Sequence, residues 1–215
     1  MTMRHVLFDF DGVLCDSLSD AIQAFNSIRK DHFPQLPEVT GQEDMTTVYA
    51  GSLRTCLRPW LSEEDSKKFF DLHSAIMATR APSLNTFPGI GQLLDGLGQN
   101  RFSIVTSAYS DAVLKVLAKD PDFDEAGPYE IAGRELRQTK TAKIMGILER
   151  LGIGSDEAVY VGDLESDILY CRDVPISIIA VGYGYHPTDY LAKKDPAYVV
   201  DSVAELNELL HRLLN

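Results

Sequence analysis

Short apolar runs recur along this chain with helical patterns between them, and that alternation limits its possible folds more than any other feature. The runs are Val6–Phe10, Phe102–Thr106, Ala158–Val161, Ile176–Val181 and Tyr198–Val200. Helical periodicity fills 110–119, 140–151, 166–172 and 202–214. Strands that are apolar on both faces, alternating with helices, predict a parallel sheet covered on both sides. The expectation is an α/β, Rossmann-like core. In such sheets ligands bind beyond the carboxyl ends of the strands. Asp9, Thr106 and Asp163 fall at or just past such ends.

Residues 17–85 break the alternation. They hold helical patterns at Ser17–Lys30 and Ser62–Thr79 and no convincing strand, and Ser17 is placed to cap the first helix. The stretch is too long for an ordinary crossover. It predicts an inserted α-helical cap domain (17–85), leaving 1–16 and 86–215 as the core domain. Pro88-Gly89 marks the return to the core, followed by the amphipathic segment Ile90–Leu97.

The chain carries 20 basic and 32 acidic residues, a net charge of −12. That balance argues against nucleic acid or an anionic membrane as partner. A phosphorylated substrate would need a local positive site. The three cysteines, Cys15, Cys56 and Cys171, form no CxxC pair, which suits a reducing cytosol. The apolar start is interrupted by Asp9 and Asp11 and is no secretory core, and no later run is long enough to span a bilayer. The expected setting is cytoplasmic, as a monomer or homodimer. The five histidines show no HxxxH or HxH spacing, so a histidine-bound metal is not expected.

Four segments carry chemistry. In Asp9-Phe10-Asp11-Gly12-Val13 two acids end an apolar run. At i and i+2 of a strand they share a face, so their charges lie close together, and at an effective dielectric of ~20 two charges ~4 Å apart repel by ~4 kcal/mol. A cation or a bound proton would relieve that repulsion. In Ile104-Val105-Thr106-Ser107-Ala108 a hydroxyl pair ends a buried run and can bind an anion through Oγ and the next backbone N–H. It could equally satisfy local backbone groups. Lys140, with Lys143 one turn on, opens a helix running to Leu151-Gly152, against the helix dipole. In Val161-Gly162-Asp163-Leu164-Glu165-Ser166-Asp167 an apolar run ends on glycine and acid, and Asp167 lies four residues beyond Asp163, on the same side of the following helix. Helix capping is the plainer account of Asp163.

In this order and approximate spacing, the four segments resemble the haloacid dehalogenase superfamily of phosphohydrolases, in the phosphoglycolate phosphatase-like and β-phosphoglucomutase-like group with a helical cap after the first strand. The resemblance covers nearly the whole chain, including Pro88-Gly89, the run Ala180-Val181-Gly182-Tyr183-Gly184-Tyr185 and the ending Ala197–Ser202. It implies Asp9 as the nucleophile that takes the phosphoryl group, and Asp11 as general acid and then base. It implies that Thr106 and the Ser107 backbone N–H hold a phosphoryl oxygen, with Gly12 beside them. Lys140 would neutralise the nucleophile and phosphoryl charge. Many relatives place Lys-Pro at this segment where this chain has Lys140-Thr141, and Lys143 is the alternative. Mg²⁺ would be held by Asp9, the Asp11 backbone carbonyl and Asp163, with Asp167 supporting the metal shell.

The cap would close over the site and contact the leaving group. Arg54, just after Gly51-Ser52, or Arg58 would meet a polar or anionic leaving group. Tyr49 and Trp60 could line an apolar part of the pocket, although aromatics in a helical cap are more often core. His186, in its late loop, is a candidate to border the site. The expected function is Mg²⁺-dependent cleavage of a small phosphorylated metabolite. The alternatives are a phosphomutase on the same scaffold and a catalytically silent binding module. A dehalogenase is disfavoured because those relatives lack the second aspartate, and a phosphonate-cleaving relative would need a cap lysine that nothing singles out.

Overall fold

The computed structural model describes residues 3–51, 55–123 and 127–214. Six parallel strands form one sheet in the order β3-β2-β1-β4-β5-β6. The strands are β1 (His5–Phe8), β2 (Phe102–Val105), β3 (Ile131–Ala132), β4 (Ala158–Gly162), β5 (Ser177–Val181) and β6 (Tyr198–Val200). The chain runs outward from β1 through β2 to β3, then returns to add β4 beside β1 and continues to β6. This reversal opens a crevice at the carboxyl ends of β1 and β4, the switch point at which such sheets bind ligands.

Both faces of the sheet are covered, as the apolar strands require. Side chains alternate along each strand. Val6 and Phe8 of β1, with Val159 and Val161 of β4, pack against α4 (Ile90–Leu97), α5 (Ser110–Leu117) and α9 (Val203–Leu214). Leu7, Tyr160 and Ile178 face the other way, against α6 (Lys140–Leu151), α7 (Glu165–Asp173) and α8 (Thr188–Ala192). Right-handed crossovers place helices on opposite faces when the chain walks in opposite directions. That is why α5 and α7 lie on different sides.

Between β1 and α4 stand α1 (Leu18–His32), α2 (Gln42–Val48) and α3 (Glu63–Arg80). They bury a cluster of their own, built on Phe25, Ile28, Met45, Val48 and Phe69, to which the sheet side adds Leu164 and Tyr185.

The expected elements are present with end shifts of one to two residues. One shift changes the argument: β1 stops at Phe8, so Asp9 and Asp11 lie in the loop beyond it and do not share a strand face. The short elements α2, β3 and α8, and the single 3₁₀ turns Arg134–Leu136 and Ser155–Glu157, were not predicted. Ser17 stands at the N-cap of α1 but caps nothing with its side chain; its hydroxyl pairs with that of Tyr185 at 3.0 Å.

Candidate active site

Asp9 follows the end of β1, held there as its backbone N–H donates to the Val161 carbonyl (2.9 Å). Its Oδ1 accepts from the Phe10 N–H at 2.7 Å, and its Oδ2 accepts from Lys140 Nζ at 2.5 Å. Lys140 is the first residue of α6, whose start is fixed by Thr139: the Thr139 Oγ1 accepts from the Ala142 N–H. The same ammonium donates to Asp167 Oδ1 at 2.8 Å. Lys140 is 7% exposed and Asp167 fully buried. Burial opposes the lysine's charge, but Asp167 and Asp9 outweigh it and hold its pKa well above the ordinary value.

Lys143 does not compete for that place. It lies on the same face of α6, buried, and its Nζ donates to the Thr106 carbonyl at 2.7 Å. Burial, and then the neighbouring Lys140, lower its pKa to about 8. Thr106 Oγ1 accepts from the Ala108 N–H at 2.9 Å, which shapes the loop leaving β2. The local backbone role weighed for this hydroxyl is therefore present, and its proton stays free to point at a ligand. Ser107 is exposed at the same loop. Asp9, Asp11, Thr106, Ser107, Lys140 and Lys143 line one cavity.

Asp11 also lines the cavity and bonds to Ser17. Its carboxyl is raised above the usual range by burial, opposed by a hydrogen bond to Ser17 and by Lys140. Asp9 is held by Lys140 and the Phe10 N–H while Asp11 is held by Ser17, so the two carboxyls have different partners. Gly12 lets this loop pass close to Asp163. Its φ is +76°, and a Cβ there would lie 2.0 Å from Asp163 Oδ2.

Asp163 and Asp167 lie behind the cavity floor, both with no exposed surface. Asp163 caps no helix. Its Oδ2 accepts from the Tyr185 N–H at 2.7 Å, and its Oδ1 is buried with no partner. Asp167 Oδ2 accepts from the Leu164 N–H and closes the first turn of α7. Asp9, Asp163 and Asp167 each offer an oxygen within 4.8 Å of the others. Burial, then Asp167 and Asp9, push Asp163 well above the usual carboxylate range. Burial likewise raises Asp9 to about 7, against the pull of Lys140. Three buried carboxylates with one ammonium and one orphaned oxygen fit a hard divalent cation such as Mg²⁺. The Asp11 carboxylate is not in this cluster.

Tyr185 was not singled out as a site residue. It closes the site through the Asp163 and Ser17 contacts and packs edge-on to Tyr49 with ring centroids 6.4 Å apart. The only signal for it was its place in the Ala180–Tyr185 run. His186 is fully buried; its Nδ1 accepts from the Glu165 N–H, so the proton sits on Nε2 and points at the Met45 carbonyl. It ties α2 to the loop after β5 and does not reach the cavity. Arg54 lies outside the described residues. Arg58 is exposed and is not among the cavity's lining residues, and neither is Trp60.

The model of the haloacid dehalogenase-like hydrolase family matches residues 6–181. The chain belongs to that family. Its relatives include phosphoglycolate phosphatase 1 of Pseudomonas aeruginosa, 26% identical over 94% of this chain and 78% of that one. Another is a phosphoglycolate phosphatase of Synechococcus elongatus, 23% identical over 99% of both. Among solved structures, a hydrolase from Pseudomonas syringae superposes with a TM-score of 0.75 at 18% identity, covering 99% of this chain and 100% of that one. A haloacid dehalogenase-like family hydrolase from Streptococcus pneumoniae gives 0.72 at 20%, covering 96% and 98%. The chain is thus an enzyme of this hydrolase family, in its phosphoglycolate phosphatase-like group. No helix among the described residues is long and apolar enough to cross a membrane.

Proposed function

We propose that this phosphatase is Mg²⁺-dependent and cleaves a small phosphorylated metabolite through an aspartyl-phosphate on Asp9. The observation that carries the reading is Lys140 Nζ held between Asp9 and Asp167 on the floor of a cavity that Asp11 also lines. A carboxylate oxygen of Asp9 attacks phosphorus and splits one difficult step into two. Asp11, whose carboxyl burial raises above the usual range, gives its proton to the leaving oxygen. It then takes a proton from the water that attacks the aspartyl-phosphate. The Thr106 hydroxyl and the Ser107 N–H hold a phosphoryl oxygen, Gly12 lets the loop approach, and Lys140 offsets the charge. Asp9, Asp163, Asp167 and the Asp11 carbonyl would hold Mg²⁺, which supplies charge neutralisation at the phosphoryl oxygens.

In this reading residues 17–85 form a cap over a core of 1–16 and 86–215. The separate apolar cluster of α1–α3 supports that division. The three cysteines are buried and form no disulfide, which suits a reducing cytosol.

The test is phosphate release from p-nitrophenyl phosphate and a panel of metabolite phosphates, with Mg²⁺ and with EDTA, beside the Asp9→Asn variant. Release that requires Mg²⁺ and vanishes in the variant is expected. A folded protein that releases nothing would overturn the reading. Return of the phosphoryl group to a second position of a sugar phosphate would make it a mutase.

A further inference from the structure

The cavity above Asp9 has a volume of about 1130 Å³, slightly above the roughly 300–1,000 Å³ usual for small-molecule pockets. A phosphoryl group with a two-carbon leaving group fills a small part of that space. The phosphoryl end is polar, as described. The rest of the wall is different. Tyr49, Phe70, Met77, Ala81, Leu84 and Tyr185 line it. Tyr49 stands edge-on to both Phe70 and Tyr185, at 6.2 and 6.4 Å between ring centroids. Tyr49 and Tyr185 are each 5% exposed, so the aromatic corner is packed in place before any ligand arrives.

The charges around this wall point the same way. Arg134, on the loop after β3, reaches Asp71 of α3 at 2.5 Å and is neutralised there. The other charged groups on the wall, among the described residues, are the carboxylates Glu63, Glu64 and Asp173 against the ammonium Lys67. A leaving group with its own carboxylate would meet excess negative charge there, on a molecule whose net charge is already −12. An apolar ring gains from the wall by burial and by edge-to-face contact. A cationic group would gain from the surplus acids.

We propose that this site selects phosphomonoesters whose leaving group has an aromatic or apolar body and is neutral or cationic, in preference to short carboxylate-bearing leaving groups. The inference rests on the phosphatase reading above. It sets this chain apart from what the names of its relatives would suggest, and Phe70 becomes a specificity residue.

The test compares kcat/KM for three primary alkyl phosphates: 2-phenylethyl phosphate, phosphoethanolamine and 2-phosphoglycolate. Their leaving groups are all primary alkoxides, so differences report the wall more than intrinsic reactivity. The expected order is as written, with about tenfold or more between first and last. Phe70→Ala lowers kcat/KM for 2-phenylethyl phosphate about tenfold more than for phosphoethanolamine, mostly through KM, and Phe70→Leu restores much of it. The proposal is overturned if 2-phosphoglycolate is turned over fastest, or if Phe70→Ala slows all three equally. The first of those results would also direct attention to Arg54 as an anion receptor. Absence of release from all three and from p-nitrophenyl phosphate would instead count against the phosphatase reading.

Discussion

Asp9 and Asp11 stand two positions apart in different surroundings, and the proposed mechanism gives them different chemistry. Asp9 is bound by a lysine and Asp11 by a serine hydroxyl. With p-nitrophenyl phosphate, whose leaving group needs no proton, Asp11→Asn is expected to release a stoichiometric burst of p-nitrophenolate, with steady turnover reduced by about 10²-fold or more. A variant with full steady turnover would remove Asp11 from the mechanism. Lys143 braces the Thr106 carbonyl from a buried position. Lys143→Met leaves that carbonyl without its charged donor and should lower kcat/KM about tenfold. Unchanged kinetics would reduce Lys143 to packing. Gly12→Ala places a methyl on the Asp163 carboxylate at a positive φ, and loss of nearly all activity is expected, read against the circular-dichroism spectrum to confirm folding. At this scale the residue types were legible, since acids, hydroxyls and lysine announce their chemistry. Their partners were not. That Lys140 meets Asp9 while Lys143 meets the Thr106 carbonyl depends on where α6 starts against β1 and β2.

At the scale of elements, α6 carries the decisive geometry. Its first turn delivers Lys140, and Thr139 fixes that turn through the Ala142 N–H. Thr139→Ala should destabilise the protein by about 1 kcal/mol in urea unfolding. It should also loosen the placement of Lys140, raising KM for p-nitrophenyl phosphate more than the stability loss predicts. A stable variant with unaltered KM would show that tertiary contacts alone set the helix start. The long elements were readable because their apolar periodicity is sustained. The two-residue β3 was not, because two residues carry no period, and β3 exists only through pairing with β2 at Ile104–Val105. The seven-residue α2 was missed for a related reason. Its buried residues are only Met45 and Val48, and it is held by contacts from elsewhere, including Gln42 Nε2 donating to the Gly182 and Gly184 carbonyls.

At the scale of the whole molecule, burial of titratable groups ties stability to pH. His5 in β1 is 2% exposed and pairs with the Ser103 hydroxyl at 2.9 Å. Burial, and then Arg101, lower its pKa to about 4. The native ring is therefore neutral, while the unfolded chain takes up a proton below about 6.5. Its contribution is complete above that pH and is lost as pH falls toward about 4, a change of up to about 3 kcal/mol. Urea midpoints should fall across that window, and His5→Gln, which keeps a partner for Ser103, should flatten part of the slope. Parallel slopes in the two proteins would mean that His5 is not responsible. The order of the long strands and helices, the interruption by α1–α3 and the polar residue types at the strand ends were determined by the sequence alone, because periodicity and residue chemistry are local. The tertiary structure decided what faces what. It placed Asp9 and Asp11 in a loop with separate partners, brought Tyr185 onto Asp163 across 22 residues of chain, and gave the cavity its aromatic, acidic wall. Those relations join residues far apart in the chain, and they arise only when the sheet closes and the helices of 17–85 settle over its edge.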